Sequence, residues 1–136
     1  MGFYQDSETV CAVMTDLFQR TLADREAQIE MRRAAIVFRL DISDPPATLT
    51  FDSKVRPPQF FCGADGRRAD LVIHTPMDVM HQVWLSQVKL SDAFFGGRIK
   101  LDGSMLRALS LGGLFRRVEA LYPGVLTDHH LVPGKS

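Results

Sequence analysis

Apolar residues recur at three- and four-residue steps through Val10, Val13, Met14, Leu17, Phe18 and Leu22, with Thr21 on the same side. No Gly or Pro interrupts residues 7–31. The spacing predicts one amphipathic helix over 7–22. Asp6 or Ser7 caps it, and Glu8 sits favourably against the helix dipole. Two readings account for its stripe: packing into the chain's own core, or a docking or dimer face. The charged run 24–33 either continues this helix or breaks into a second turn.

The period then changes from about 3.6 to 2. Ile36, Phe38, Leu40 and Ile42 alternate with Val37, Arg39 and Asp41, which predicts a half-buried strand over 36–42. Asp44-Pro45-Pro46 is a turn, and 48–52 is a second strand with Leu49 and Phe51 inward, which suggests a hairpin. A short third strand over 60–62 follows Pro57-Pro58 and closes at Gly63-Ala64-Asp65-Gly66. A fourth covers 69–75, with Leu71 and Ile73 on one face and Val72 and His74 on the other.

Pro76 opens a helix, with Thr75 as candidate cap, whose one face carries Met77, Met80, His81, Trp84 and Val88. Ser91 is the expected cap of a short helix over 92–95 that Gly96-Gly97 stops. A fifth strand over 98–101 places Ile99 and Leu101 together. After the Asp102-Gly103-Ser104 turn, a helix carries Met105, Leu106, Leu109, Leu114, Phe115, Val118 and Leu121. Gly112-Gly113 kinks or divides it, and Tyr122-Pro123-Gly124 ends it. The order is helix, four strands, two helices, strand, helix. That order predicts α+β, with helices on one face of a largely antiparallel sheet.

At 136 residues the chain fits one domain, and 46% hydrophobic content excludes global disorder. Sixteen basic and sixteen acidic side chains cancel, which argues against nucleic acid or an anionic membrane as a partner held by bulk charge. No run of about 18 apolar residues spans a bilayer. The first residues, Met1-Gly2-Phe3-Tyr4-Gln5-Asp6, do not read as a secretory leader, nor Gly134-Lys135-Ser136 as a peroxisomal address. A reducing, cytoplasmic setting is the expectation. Cys11 and Cys62 are too few for a disulfide scaffold or a zinc cluster, and Cys62 reads as a small buried hydrophobe.

Catalytic and cofactor signatures are missing: no phosphate loop, dinucleotide fingerprint, nucleophile elbow or HExxH is present. No cofactor and no metal are expected, since Asp128-His129-His130 lie in a tail that fixes no ligand geometry. His74 ends a strand and His81 lies in the next helix beside Asp78, an arrangement open to acid–base chemistry or to purely local hydrogen bonding. Apolar bulk is plentiful instead, with nine Phe, six Met and one Trp.

From about residue 25 to 122 the chain resembles the sterol carrier protein type 2 domain. The likeness rests on Ala69-Asp70-Leu71-Val72-Ile73-His74-Thr75, on Met77-Asp78-Val79-Met80-His81-Gln82-Val83-Trp84, and above all on Ala93-Phe94-Phe95-Gly96-Gly97-Arg98-Ile99-Lys100-Leu101-Asp102-Gly103-Ser104-Met105. The resemblance implies a five-stranded sheet and an apolar tunnel between sheet and helices for sterols, acyl chains, phospholipids or isoprenoids. Expected around that ligand are Phe38, Phe51, Ile73, Met77, Met80, His81, Trp84, Phe94, Phe95, Met105 and Leu109. His81, Gln87 or Ser91 would meet a polar head. The expected organisation is an N-terminal helix in 1–24, a lipid-binding domain over 25–126 and a loose tail over 127–136. The leading function is non-catalytic carriage of a hydrophobic ligand to a partner enzyme. The alternatives are a tailoring enzyme using His74, His81, Asp78 or Cys62, and an interaction module that docks or dimerises through helix 7–22.

Overall fold

The computed structural model describes residues 3–55, 57–63, 66 and 68–131; the side chains of Met105 and Leu109 lie outside the described residues. Helix α1 (Ser7–Ala23) begins where extended Asp6 accepts the Thr9 N–H at 2.7 Å. Asp24 ends α1 in an extended conformation and accepts the Ala27 N–H at 2.9 Å, which starts helix α2 (Arg25–Ala34). The charged run therefore forms a second helix. Val10, Val13, Met14, Leu17 and Phe18 are fully buried, so the α1 stripe is turned into the chain's own core.

The strands are β1 (Val37–Ser43), β2 (Ala47–Asp52), β3 (Gln59–Cys62), β4 (Leu71–Pro76) and β5 (Lys100–Gly103). Their order in the sheet is β3-β2-β1-β4-β5. β1 and β2 form the expected hairpin, β1 and β4 are parallel, and the remaining pairs are antiparallel. Phe38 stands opposite Phe51 and Leu71, and Leu40 opposite Leu49 and Ile73. Because side chains alternate along a strand, these residues share one face, and all six are buried. Arg39, Asp41, Val72 and His74 fall on the opposite face. At the end of β5, Gly103 has φ +125°, and a Cβ there would meet the Asp70 carbonyl at 2.6 Å.

Helices α3 (Met77–Trp84), α4 (Leu90–Phe95), α5 (Met105–Leu109) and α6 (Gly112–Asp128) complete the chain. α1 packs on α6, β2 and β3, and α3 packs on α6 and β4. The core between them is aromatic. Phe38 stacks on Phe51 at 4.2 Å, Phe18 meets Phe51 edge-on at 4.4 Å, and Trp84 meets Tyr122 at 5.5 Å.

Several local expectations differ from what is found. Thr75 does not cap α3; its hydroxyl donates to the Pro76 carbonyl at 3.0 Å. Ser91 lies inside α4, whose N-cap is Lys89. α5 and α6 are separate helices, so the Gly112-Gly113 region divides rather than kinks. α6 passes through Pro123 and runs to Asp128. Tyr122, Val125 and Leu126 are each fully buried, and that burial outweighs the hydrogen bond lost at proline. Beyond it, His129 Nε2 lies 3.0 Å from Asp16 Oδ2, and Arg20 pairs with Asp128 at 2.7 Å. The rest of the expected tail, 132–136, is outside the described residues. Cys62, expected as an unpaired hydrophobe, is instead joined to Cys11 by a disulfide between α1 and β3, with Cα atoms 5.9 Å apart. Fifty-one positions separate them, and only the docking of α1 beside the β3 edge brings them together.

Candidate functional site

Helix α4 is six residues long and α5 five, too short to seal the β4–β5 end of the sheet. A cavity of about 430 Å³ remains beneath them. Its floor is Ile73 of β4 and Leu101 of β5, which are register partners, with Ile99 beside them. Leu90, Phe94 and Phe95 of α4 form one wall, and Ala108 of α5 with Phe115 of α6 form the other. Ser91, exposed on α4, is the one polar side chain among the described lining residues. The volume lies in the range of small-molecule sites, roughly 300–1,000 Å³. Phe95 is 82% exposed although it lines an apolar cavity, so it stands at the mouth.

Three of the expected ligand residues, Ile73, Phe94 and Phe95, line this cavity. Phe38, Phe51, Met77, Met80 and Trp84 are packed in the closed core instead. Phe115 joins the two regions, since its ring lies 6.2 Å from that of Phe38 while it also faces the cavity. Met105 and Leu109 cannot be placed, because their side chains lie outside the described residues. Leu90, Ile99, Leu101, Ala108 and Phe115 also line the cavity and were not among the residues expected there. The signal for them was the Ile99/Leu101 face on a strand with only one neighbour, between two short glycine-flanked helices.

The histidines are separated. His74 lies on the outer sheet face, with Nδ1 at 3.0 Å from Asp41 and Nε2 at 2.9 Å from Asp102. The Asp102 hydrogen bond, with that of Asp41, raises its pKa above the ordinary value. His81 is 7% exposed within the helical layer. Its Nδ1 shares a hydrogen bond with the Tyr122 hydroxyl at 2.6 Å, and Phe3 stacks on its ring at 4.0 Å. Burial lowers its pKa, against a weaker opposing pull from Asp78. Neither histidine, nor Asp78 or Cys62, lines the cavity. Among the described residues no cluster of three or more His, Cys, Asp or Glu is placed to hold a metal ion, and no helix is long and apolar enough to cross a membrane.

The fold is similar to that of sterol carrier protein 2 from Yarrowia lipolytica, at TM-score 0.66 and 16% identity, covering 88% of this chain and 98% of that one. It is similar to sterol carrier protein domain 2 of Helicoverpa armigera, at TM-score 0.64 and 18% identity, covering 79% and 85%. It is also similar to the ubiquinone synthesis protein UbiJ-SCP2, at TM-score 0.63 and 16% identity, covering 86% and 97%. None of the curated proteins compared matches the chain. The model of one family, described as SCP-2 sterol transfer, matches residues 14–116. That match takes in well over half of the sequence, and the chain belongs to the SCP-2 sterol transfer family.

Proposed function

We propose that the protein carries a hydrophobic ligand without converting it, holds the apolar skeleton in the cavity beneath α4, and presents it to a partner enzyme. The observation that carries this reading is the cavity itself, apolar on every described side except Ser91. Burying a tail there is favourable by about 25 cal/mol per Å² of apolar surface, before the costs of association. Ile73, Phe94 and Phe95 contact the tail, together with Leu101, Ala108 and Phe115, and Ser91 meets a polar head at the mouth. Similarity to two sterol carrier proteins and a ubiquinone synthesis protein supports a lipid, acyl, isoprenoid or polycyclic skeleton. The tailoring-enzyme reading has less support, since the candidate acid–base groups lie away from the cavity.

The test is titration with an environment-sensitive fluorescent fatty acid. Ala108→Trp places an indole in the cavity from a half-buried position, and affinity should fall by about tenfold or more as tail burial is lost. Equal affinity in a folded Ala108→Trp variant would contradict the assignment of the site.

A further inference from the structure

Ile73 and Leu101, the register partners that floor the cavity, are each followed in the chain by a residue on the opposite sheet face, His74 and Asp102. β5 is four residues long and lies at the sheet edge, so β4 is its one strand neighbour. Directly behind the floor, side chains join the two strands as well. His74 Nε2 stands 2.9 Å from Asp102 on β5, and Nδ1 stands 3.0 Å from Asp41 on β1. One imidazole thus ties β1, β4 and β5 across the outer face.

Both ring nitrogens meet a carboxylate, which offers no hydrogen when ionised. Both contacts are hydrogen bonds only when each nitrogen carries a proton, as in the imidazolium. Neutral imidazole has one N–H, so one carboxylate then faces a lone pair. Asp41 and Lys100 stand in the same register row as His74, while Arg39 stands in the row of Val72 and Asp102. β2 places Thr48 and Thr50 on this face, with Asp52 beyond them. The Asp102 hydrogen bond foremost, with that of Asp41, holds the His74 pKa above its ordinary value despite the cations on this face.

We infer that His74 is a proton-operated latch on the cavity floor. As imidazolium it clips edge strand β5 to β4 and the ligand is retained. As neutral imidazole protonated at Nδ1 it loses the bond to Asp102, β5 loosens behind Leu101, and the ligand leaves. The inference rests on the ligand-carrier reading and adds the condition of release, a rise in pH. Asp102 is exposed, so solvent screens the bond and the latch changes affinity by only a few-fold.

The test is binding of diphenylhexatriene, an apolar fluorophore with no titratable group, from about pH 6 to 9. Dissociation should quicken, and affinity fall by about threefold, as pH rises through the His74 pKa. By reciprocity, loading the cavity should raise the proton affinity of His74 by the same factor of about three, read from its ring resonances. Amide exchange in β5, corrected for the intrinsic rate, should speed up over the same range. His74→Asn, neutral throughout, should bind the fluorophore equally at every pH. Asp102→Asn, whose exposed side chain lies outside the described cavity lining, should shrink the step, so the test stands even if the histidine variant fails to fold. A flat profile in the unaltered protein, or a step that persists in His74→Asn, would overturn the latch. Absence of uptake at every pH would sink the carrier reading, and β5 exchange unresponsive to pH would sink the latch separately.

Discussion

His81 and Tyr122 share a buried hydrogen bond of 2.6 Å across the α3–α6 contact, and the Tyr122 hydroxyl is itself 2.6 Å from that of Tyr4. The three polar tips satisfy one another in a largely apolar region, with the Asp78 carboxylate near enough to act on His81 and Tyr122. Removing the middle one strands both ends.

Tyr122→Phe should destabilise the protein by about 1–3 kcal/mol, because the imidazole nitrogen and the Tyr4 hydroxyl lose a partner where water does not reach. Denaturant unfolding checks this. Tyr4→Phe should cost less, since the bond between His81 and Tyr122 survives. A Tyr122→Phe variant as stable as the unaltered protein would show that the chain of hydroxyls contributes nothing net.

The two histidines should pull the pH dependence of stability in opposite directions. His81 has a folded pKa below its ordinary 6.5, so its contribution is present above that value and is lost as pH falls through the lowered one. His74 has a folded pKa above 6.5, so its contribution is full below that value and is lost as pH rises through the raised one. Thermal unfolding from pH 5 to 8 separates them. In His74→Asn the midpoint should rise more steeply with pH than in the unaltered protein, and in His81→Asn less steeply. The reverse pattern would contradict the environments assigned to the two rings.

The disulfide between Cys11 and Cys62 ties α1 to the edge of the sheet across 51 positions. Reduction, or Cys11→Ser with Cys62→Ser, should lower stability by about 2–4 kcal/mol, as closing a loop of that length restricts the unfolded chain. Thiol titration before and after unfolding, paired with melts with and without reductant, checks both pairing and effect. Two freely titrating thiols in the unreduced protein would refute the bond.

Much of the sheet was legible because alternation at Phe38, Leu40, Leu49, Phe51, Leu71 and Ile73 has one reading once one face is buried. The α6 boundary was not, because local rules stop a helix near Pro123 while the burial of Tyr122, Val125 and Leu126 carries it on. The site was partly legible. Trp84 and Phe95 both sit on apolar helices and give the same sequence signal. Helix length and the neighbouring strand decide that one fills the core and the other stands at a cavity mouth. The disulfide was invisible because no local pattern reports distance across 51 residues.

The most direct measurement is native mass spectrometry of the gently purified protein, followed by solvent extraction of what it carries. The account predicts a species heavier than the 15.2 kDa chain by one noncovalent apolar molecule, removable by organic solvent and strongly reduced in Ala108→Trp. A chain that stays ligand-free even after incubation with fatty acids and isoprenoid lipids, or an Ala108→Trp variant that loads equally well, would contradict it.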